Sequence, residues 1–173
     1  MYSTCSEEEV KNQVSKALAM NDSIPVSEMS QQLGFSEGAI TFALPPIMLA
    51  KVEGKHAQTI MESLPEWGSV TTIVHSCGSI FETKAAFPKG KLAHGYYNLM
   101  GRDGQLHGHL RLENIDFIAF VSKPFRGKES HYIGFFTKDG DCVFKVYLGR
   151  DKQREIFPEQ IQFFNKMKQE FSV

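Results

Sequence analysis

The spacing of hydrophobic residues changes along the chain from a helical period to a strand period. In the first part, apolar residues recur every three or four positions, as at Val10, Val14 and Leu18, which is typical of amphipathic helices. In the second part, apolar and polar residues alternate over short runs, which is typical of strands with one buried face. We therefore expect a mainly helical amino-terminal part at residues 1–66 and a sheet with a carboxyl-terminal helix at residues 67–173.

Capping residues mark the ends of the expected helices. Ser6 followed by Glu9 forms a capping-box pattern at the start of the first helix. Ser27 and Ser36 are expected to cap a second and a third helix, and Gly34 is a natural stop between them. A further short helical pattern covers residues 55–64.

Turn sequences separate about seven expected strands. The sequence Gly101-Arg102-Asp103-Gly104 predicts a tight hairpin, and Pro158 fits the first turn of a carboxyl-terminal helix. This pattern predicts an α+β fold, in which an antiparallel β-sheet meander is flanked by amino-terminal helices and a carboxyl-terminal helix. The expected strands cover residues 70–75, 79–84, 94–99, 106–112, 115–121, 131–137 and 142–148.

Composition favours a single globular domain in a reducing compartment. The chain has 173 residues, of which 42% are hydrophobic and 23% charged, as in ordinary globular proteins. No apolar run approaches the roughly 18 residues of a membrane span, and the first ten residues do not have the pattern of a secretory signal. Cys5, Cys77 and Cys142 are too few and too scattered for a disulfide framework. We therefore expect a cytoplasmic protein with no membrane partner.

Charge is divided unevenly between the two parts. Residues 1–66 carry four basic and nine acidic side chains, whereas residues 67–173 carry fifteen basic and eleven acidic ones. The excess of cations in the second part fits either scattered surface charge or an anionic ligand. The segment from Pro25 to Leu44 has the outline of a helix-turn-helix, but residues 23–50 contain neither Lys nor Arg. Because binding to DNA needs cations that neutralise phosphates, we expect no nucleic-acid partner.

Two strands beside the 101–104 turn concentrate residues with ligand chemistry. If both runs are strands, His94 and Tyr96 point to one side of the first strand, and His107 and His109 share one side of the second. These side chains fit three uses: hydrogen bonds within a sheet, axial ligation of haem, or binding of another metal through neutral imidazole. A zinc site usually needs more ligands, and the only acid nearby is Asp103. On these residues alone the three uses remain open.

Other motifs with known chemistry are absent from the sequence. It contains no G-x-S-x-G, Walker or H-E-x-x-H pattern. A C-x-x-C-H sequence is also missing, which excludes covalent attachment of a c-type haem. His75 ends an expected strand, where a histidine bonded within the sheet is the simpler interpretation.

Several long blocks resemble a known family. Residues 94–102 (HGYYNLMGR), continued by residues 108–111 (GHLR) and 118–121 (IAFV), resemble the cytosolic haem-utilisation carrier proteins of the ChuX/HutX type. Residues 67–75 (WGSVTTIVH) and 144–151 (FKVYLGRD) match two further stretches of these proteins. The resemblance covers most of the chain from about residue 40 onward, and the blocks occur in the same order.

The resemblance implies a fold and a function. The fold would be similar to one half of the duplicated haem-degrading or haem-trafficking proteins, and two copies of the chain would form a homodimer. The chain would be one haem-carrier domain that binds haem without catalysing a reaction. It would store or buffer imported ferric haem b, held non-covalently, and pass it to a haem-degrading enzyme during iron acquisition.

The resemblance also assigns site residues. Tyr96 is the first candidate for the axial ligand of the haem iron, since a tyrosinate suits ferric haem. His75 and His109 are the second candidates, either as a ligand on the other haem face or as supporting groups. A cation such as Arg102 or Arg111 would favour the phenolate form of Tyr96. The alternative is a haem-degrading enzyme, in which His75 or His109 would be the proximal ligand.

Overall fold

The described residues form two antiparallel sheets, one of six strands and one of three. The structure is a computed structural model, and it describes residues 5–173. Residues 1–4 lie outside the described residues. They belong to the segment in which we expect no secretory signal. The larger sheet has six strands in the order β1-β7-β8-β9-β2-β3. Its strands are β1 (Leu49–Glu53), β2 (Ser69–Ser76), β3 (Ser79–Ala86), β7 (Phe117–Ser122), β8 (His131–Phe136) and β9 (Cys142–Tyr147).

The smaller sheet is a three-stranded meander inserted between β3 and β7. It consists of β4 (Gly90–Ala93), β5 (Tyr96–Met100) and β6 (His107–Leu110), with β5 in the centre. The predicted hairpin at residues 101–104 joins β5 to β6 and is closed by the Gln105 amide, which donates to the Arg102 carbonyl at 2.8 Å.

Five α-helices complete the part of the chain that the structure describes. They are α1 (Glu7–Met20), α2 (Val26–Leu33), α3 (Glu37–Phe42), α4 (Ala57–Ser63) and α5 (Pro158–Phe171). Short 3-10 turns at Gly54–His56 and Leu64–Trp67 extend α4 at both ends. None of the helices within residues 5–173 is long and apolar enough to cross a membrane.

Each face of the six-stranded sheet buries its own hydrophobic cluster. One face packs on α1, α2 and α3 through residues such as Val14, Met29 and Tyr132. The other packs on α4, α5 and the three-stranded sheet through residues such as Phe120 and Phe164. The fold is therefore layered, with the six-stranded sheet in the middle, and it confirms the predicted α+β class.

Most of the predicted helix ends are confirmed. Ser6 accepts from the Glu9 amide at 3.3 Å, and Ser36 accepts from the Ala39 amide at 3.1 Å. Gly34 ends α2 in the left-handed conformation, with φ 73°. The prediction for Ser27 was wrong, because α2 begins one residue earlier at Val26, and Pro25 occupies the cap position without a side-chain bond.

The strand predictions need three corrections. The mainly helical amino-terminal part also contains β1, which was not predicted and pairs with β7 at the edge of the large sheet. The strand β4 was not predicted either, so the described residues form nine strands where about seven were expected. His94 does not share a strand face with Tyr96, because it lies in the β4–β5 turn with φ 55°.

Candidate functional site

One face of the three-stranded sheet points away from the core. Tyr97 and Leu99 of β5 are buried inward, so the residues that alternate with them point outward. The register pairs Asn98 with His109 and Met100 with His107, so the outward side chains of β5 and β6 share one surface. We call this surface the outer face, and it consists of Tyr96, Asn98, Met100, His107, His109 and Arg111.

The phenol of Tyr96 is in direct contact with a cation. The Arg111 guanidinium donates to Tyr96 Oη at 2.9 Å, and its carbon lies 4.6 Å from the centre of the Tyr96 ring. Half of the Arg111 side chain remains exposed, and the guanidinium also pairs with Glu113 at 3.3 Å. The Tyr96 oxygen therefore accepts a hydrogen bond from a group that carries a fixed positive charge.

Asn98 orients His109. The Asn98 side-chain amide donates to the carbonyl oxygens of Lys91, Ala93 and Tyr96 at 3.0–3.1 Å, which leaves its carbonyl oxygen as an acceptor. His109 Nδ1 lies 2.6 Å from that oxygen, so the bond requires Nδ1 to carry the proton. In the neutral ring, Nε2 then has a free lone pair. The His109 ring lies edge-on to Tyr96 at 5.9 Å.

Asn98 was not among the predicted site residues, although a signal for it exists in the sequence. It follows Tyr96 at the strand period of two, so the alternation that placed His107 and His109 on one face also places Asn98 beside Tyr96. Its role depends on the pairing of β5 with β6, which the alternation alone does not reveal.

His75 lies on a different surface. Its neighbour Val74 packs toward the core between the sheets, so His75 points to the opposite face of the large sheet. We call this face, on which α1, α2 and α3 pack, the helix-covered face. Partial burial lowers the pKa of His75, and the positive charge of Lys145 lowers it further, against the opposing effect of Glu37. Within one chain, the structure therefore does not bring His75 together with Tyr96.

Arg102 is also separated from Tyr96. It lies in the hairpin turn beyond Met100, at the opposite end of β5 from Tyr96. The two ends of β5 are four residue steps apart, a length of roughly 13 Å. Of the two predicted cations, Arg111 is therefore the one that contacts the phenol.

The helix-covered face holds a second polar cluster, which is sealed. Lys145 forms an ion pair with Glu37, and their side chains are 4% and 13% exposed. Burial alone would lower the pKa of Lys145, but the neighbouring Tyr132 and Glu37 raise it above its ordinary value. Burial raises the pKa of Cys142 to about 12. This cluster binds the amino-terminal helices to the sheet and is closed to ligands.

Two cavities of about 620 Å³ and 150 Å³ lie away from the outer face, and neither is lined by Tyr96, His109 or Arg111. In residues 5–173 no group of three or more His, Cys, Asp or Glu side chains is placed to hold a metal ion. The outer face instead offers one oxygen ligand, one oriented imidazole and one cation.

These residues fit haem. Haem iron accepts one or two axial ligands, and tyrosine and histidine both serve in that role. Tyr96 supplies the phenol oxygen, and Arg111 supplies positive charge beside it. A single sheet face contacts only one side of a planar macrocycle, so the other side needs a further cover.

Comparison with known proteins identifies the relatives of the chain. The family model for haem utilisation ChuX/HutX proteins matches residues 50–167. A Vibrio cholerae protein described as the intracellular heme transport protein HutX is 58% identical over 163 residues, which cover 94% of this chain and 84% of that protein.

Solved structures agree with this assignment. The heme-binding protein ChuX superposes with a TM-score of 0.81 at 29% identity, covering 91% of this chain and 97% of its own. Holo-PhuS, a heme-binding protein from Pseudomonas aeruginosa, superposes at 0.78 with 12% identity and shows the fold alone. The match covers 100% of this chain but 49% of PhuS, which confirms the predicted likeness to one half of a longer protein. The chain belongs to the ChuX/HutX family of haem utilisation proteins.

Proposed function

We propose that the protein binds haem on the outer face, through Tyr96, and carries it inside the cell. The observation that carries the proposal is the contact between Arg111 and the Tyr96 phenol at 2.9 Å on an accessible surface. Membership of the haem utilisation family and the transport role in the name of HutX support haem as the cargo. In this proposal residues 1–173 act as one haem-carrier domain.

The proposed site favours ferric haem b held without a covalent bond. A phenolate is a hard anionic ligand that stabilises ferric over ferrous iron. Arg111 assists because it donates to the Tyr96 oxygen and because its positive charge complements the anionic cargo. His109, oriented by Asn98, presents Nε2 as an acceptor beside the Tyr96 ring.

A second copy of the chain completes the proposed site. The outer face covers one side of a planar cargo, and neither described cavity encloses it. The chain corresponds to about half of PhuS, which supports a homodimer that reproduces the arrangement of the longer protein. In such a dimer, His75 joins the site only if it comes from the partner copy, since it lies on another surface of its own chain.

The proposed role is non-enzymatic and cytoplasmic. The cargo would be buffered and then passed to a haem-degrading acceptor enzyme, and this acceptor remains a proposal from the family resemblance. A tyrosinate ligand suits storage better than degradation, because activation of oxygen requires ferrous iron with an open coordination position.

The test is a haem titration of two matched variants, Tyr96→Phe and Tyr97→Phe. These neighbouring tyrosines point to opposite faces of β5, and each variant loses only a hydroxyl. We expect Tyr96→Phe to abolish the phenolate-to-iron charge-transfer absorption and to weaken ferric haem binding, because the iron loses its axial oxygen ligand. Tyr97→Phe should bind haem like the unmodified protein. An unchanged spectrum in Tyr96→Phe would remove Tyr96 as the ligand.

A further inference from the structure

A cavity of about 620 Å³ lies at the edge of the fold remote from the outer face. It is bounded by α1, α3, β1 and the turn between β8 and β9, on the helix-covered side of the large sheet. The turn is held in place by a close approach of two glycines, since the Gly38 amide donates to the Gly140 carbonyl at 2.8 Å. A Cβ atom on Gly140 would lie 2.2 Å from Ser36 Oγ, so this wall of the cavity has little freedom to move.

The cavity combines an apolar floor with a cation. Its apolar lining includes Val10, Ala39, Phe42, Leu49 and Phe117. Lys51 projects from β1 into the same space, where its Nζ lies 4.2 Å from the centre of the Phe117 ring and 5.1 Å from that of Phe42.

Lys51 has no anionic partner among the described residues. The ion pairs within residues 5–173 involve other lysines, although the carboxylates Glu7 and Asp139 also line the cavity. Lys11 and Lys138 add two more cations to the lining. Among residues 5–173 the ammonium group of Lys51 contacts the two aromatic rings and has no side-chain hydrogen bond or ion pair.

We propose that this cavity binds an amphipathic organic anion, with its apolar body on the phenylalanine rings and its carboxylate on Lys51. Cavities of roughly 300–1,000 Å³ with an apolar lining and a few polar groups are typical sites for small ligands. A carboxylate supplies the acceptor that Lys51 lacks, and an apolar body fills space lined by Phe42 and Phe117. Fatty acids and aromatic carboxylates have this chemistry.

Haem also has an apolar body and carboxylates, so the test must separate it from other anions. The probe is the fluorescent fatty acid cis-parinarate, with its methyl ester as the uncharged control. The full chain is titrated with each, first alone and then with ferric haem as competitor.

Two lysine variants test the contact with the carboxylate. Lys51→Met keeps the length and apolar character of the side chain but removes its charge. Lys16→Met is the matched control, since Lys16 is exposed on α1 and does not line the cavity. We expect Lys51→Met to weaken binding of cis-parinarate about tenfold and to leave binding of the ester unchanged. Equal affinity of cis-parinarate for both variants would overturn the assignment of Lys51.

Two filling variants test the location. Ala39→Trp and Ala43→Trp each place a large ring in the cavity from α3 or the residue after it. We expect both to abolish binding of the acid and of the ester, while far-ultraviolet circular dichroism stays unchanged. Retained binding in a folded filling variant would overturn the proposal.

Competition with haem separates this proposal from the proposed function. If haem leaves cis-parinarate bound while Tyr96→Phe alters the haem spectrum, both sites stand. If haem displaces cis-parinarate and the filling variants abolish haem binding, the cavity takes haem as its anion, and the assignment of haem to Tyr96 fails instead.

Discussion

Two regions of the molecule use nearly the same side chains for opposite purposes. The outer face combines tyrosine, histidine and a cation in Tyr96, His109 and Arg111. The helix-covered face combines the same types in Tyr132, His75 and Lys145. In the first region half of the Arg111 side chain is exposed, whereas in the second the Lys145 side chain is 4% exposed.

The difference shows that burial, and not residue type, determines whether these side chains pair with each other or can bind a ligand. The helices α1, α2 and α3 cover the second region, so its charges must pair with each other, as Lys145 does with Glu37. The outer face lacks such a cover, so Tyr96 and His109 keep atoms that a ligand can approach. Stability should therefore respond to changes in the covered region, and haem binding to changes in the open one.

The largest effect is expected from breaking the covered ion pair. Glu37→Ala leaves Lys145 buried without its carboxylate, which should lower the free energy of unfolding by about 3 kcal/mol. Urea denaturation measures this loss. Haem affinity should stay the same, because the outer face is untouched.

A double variant sharpens the same test. Glu37→Leu combined with Lys145→Met replaces both charges by apolar groups, which often costs little in a buried position. Most of the lost stability should therefore return. If Glu37→Ala alone is as stable as the unmodified protein, the ion pair between Glu37 and Lys145 does not stabilise the fold.

The next largest effect is expected in the pH dependence of stability, through the buried side chain of Lys123. Lys123 is buried and donates to the Ile24 carbonyl, and burial lowers its pKa to about 8 against the opposing charge of Asp22. Between pH 8 and the ordinary value of 10.5, the unfolded chain holds a proton that the folded protein has released. The contribution of Lys123 to stability therefore rises with pH across this window, by about 2 kcal/mol.

Lys123→Met isolates this contribution. Urea denaturation of both proteins at pH 7 and pH 10 gives the stability difference between them at each pH. The unmodified protein should gain on the variant as the pH rises. Identical pH dependence of the two proteins would contradict the burial argument for Lys123.

In the open region, substitutions of Arg111 and Arg102 should differ in their effect on ferric haem binding. Arg111→Gln removes the positively charged guanidinium at Tyr96 and should weaken ferric haem binding about tenfold, whereas Arg102→Gln should change it little. Arg111→Lys keeps the charge but loses the planar contact with the Tyr96 ring, so an intermediate affinity is expected. Haem titration followed by absorbance measures all three, and equal losses at both arginines would argue for a nonspecific effect of charge.

The smallest effect separates neighbouring tyrosines. The Tyr97 hydroxyl is buried without a hydrogen-bond partner among the described residues, so Tyr97→Phe removes an unsatisfied polar group and should raise stability by up to about 1 kcal/mol. Tyr96→Phe should leave stability nearly unchanged, because its ring stays partly exposed. Thermal denaturation compares the two variants, and a clear loss of stability in Tyr97→Phe would contradict this reading of its environment.

Local patterns in the sequence predicted most of the helices and strands. Ser6, Ser36 and Gly34 marked helix ends because caps depend on neighbouring residues. The strand β1 was missed because only Val52 of its five residues is buried and because its partner β7 begins 64 residues later. A short edge strand with a distant partner leaves almost no local signal.

The site was predictable in part. The resemblance pointed to Tyr96, and the chemistry of a phenolate ligand pointed to Arg102 or Arg111 as its cation. The structure brings Arg111 to Tyr96. The resemblance also pointed to His75, but His75 and Arg102 both lie elsewhere in the single chain. The face to which His75 points depends on which side of β2 the helices cover, and that is a property of the assembled layers.

Haem titration followed by reduction in air distinguishes a carrier from a haem-degrading enzyme. The purified protein is titrated with ferric haem, and ascorbate is then added in air with catalase present, so that free peroxide does not destroy the haem. A carrier predicts saturation at about one haem per chain and a spectrum that persists after the addition. A saturated spectrum that bleaches with release of iron and a linear tetrapyrrole would contradict the account and identify a haem-degrading enzyme.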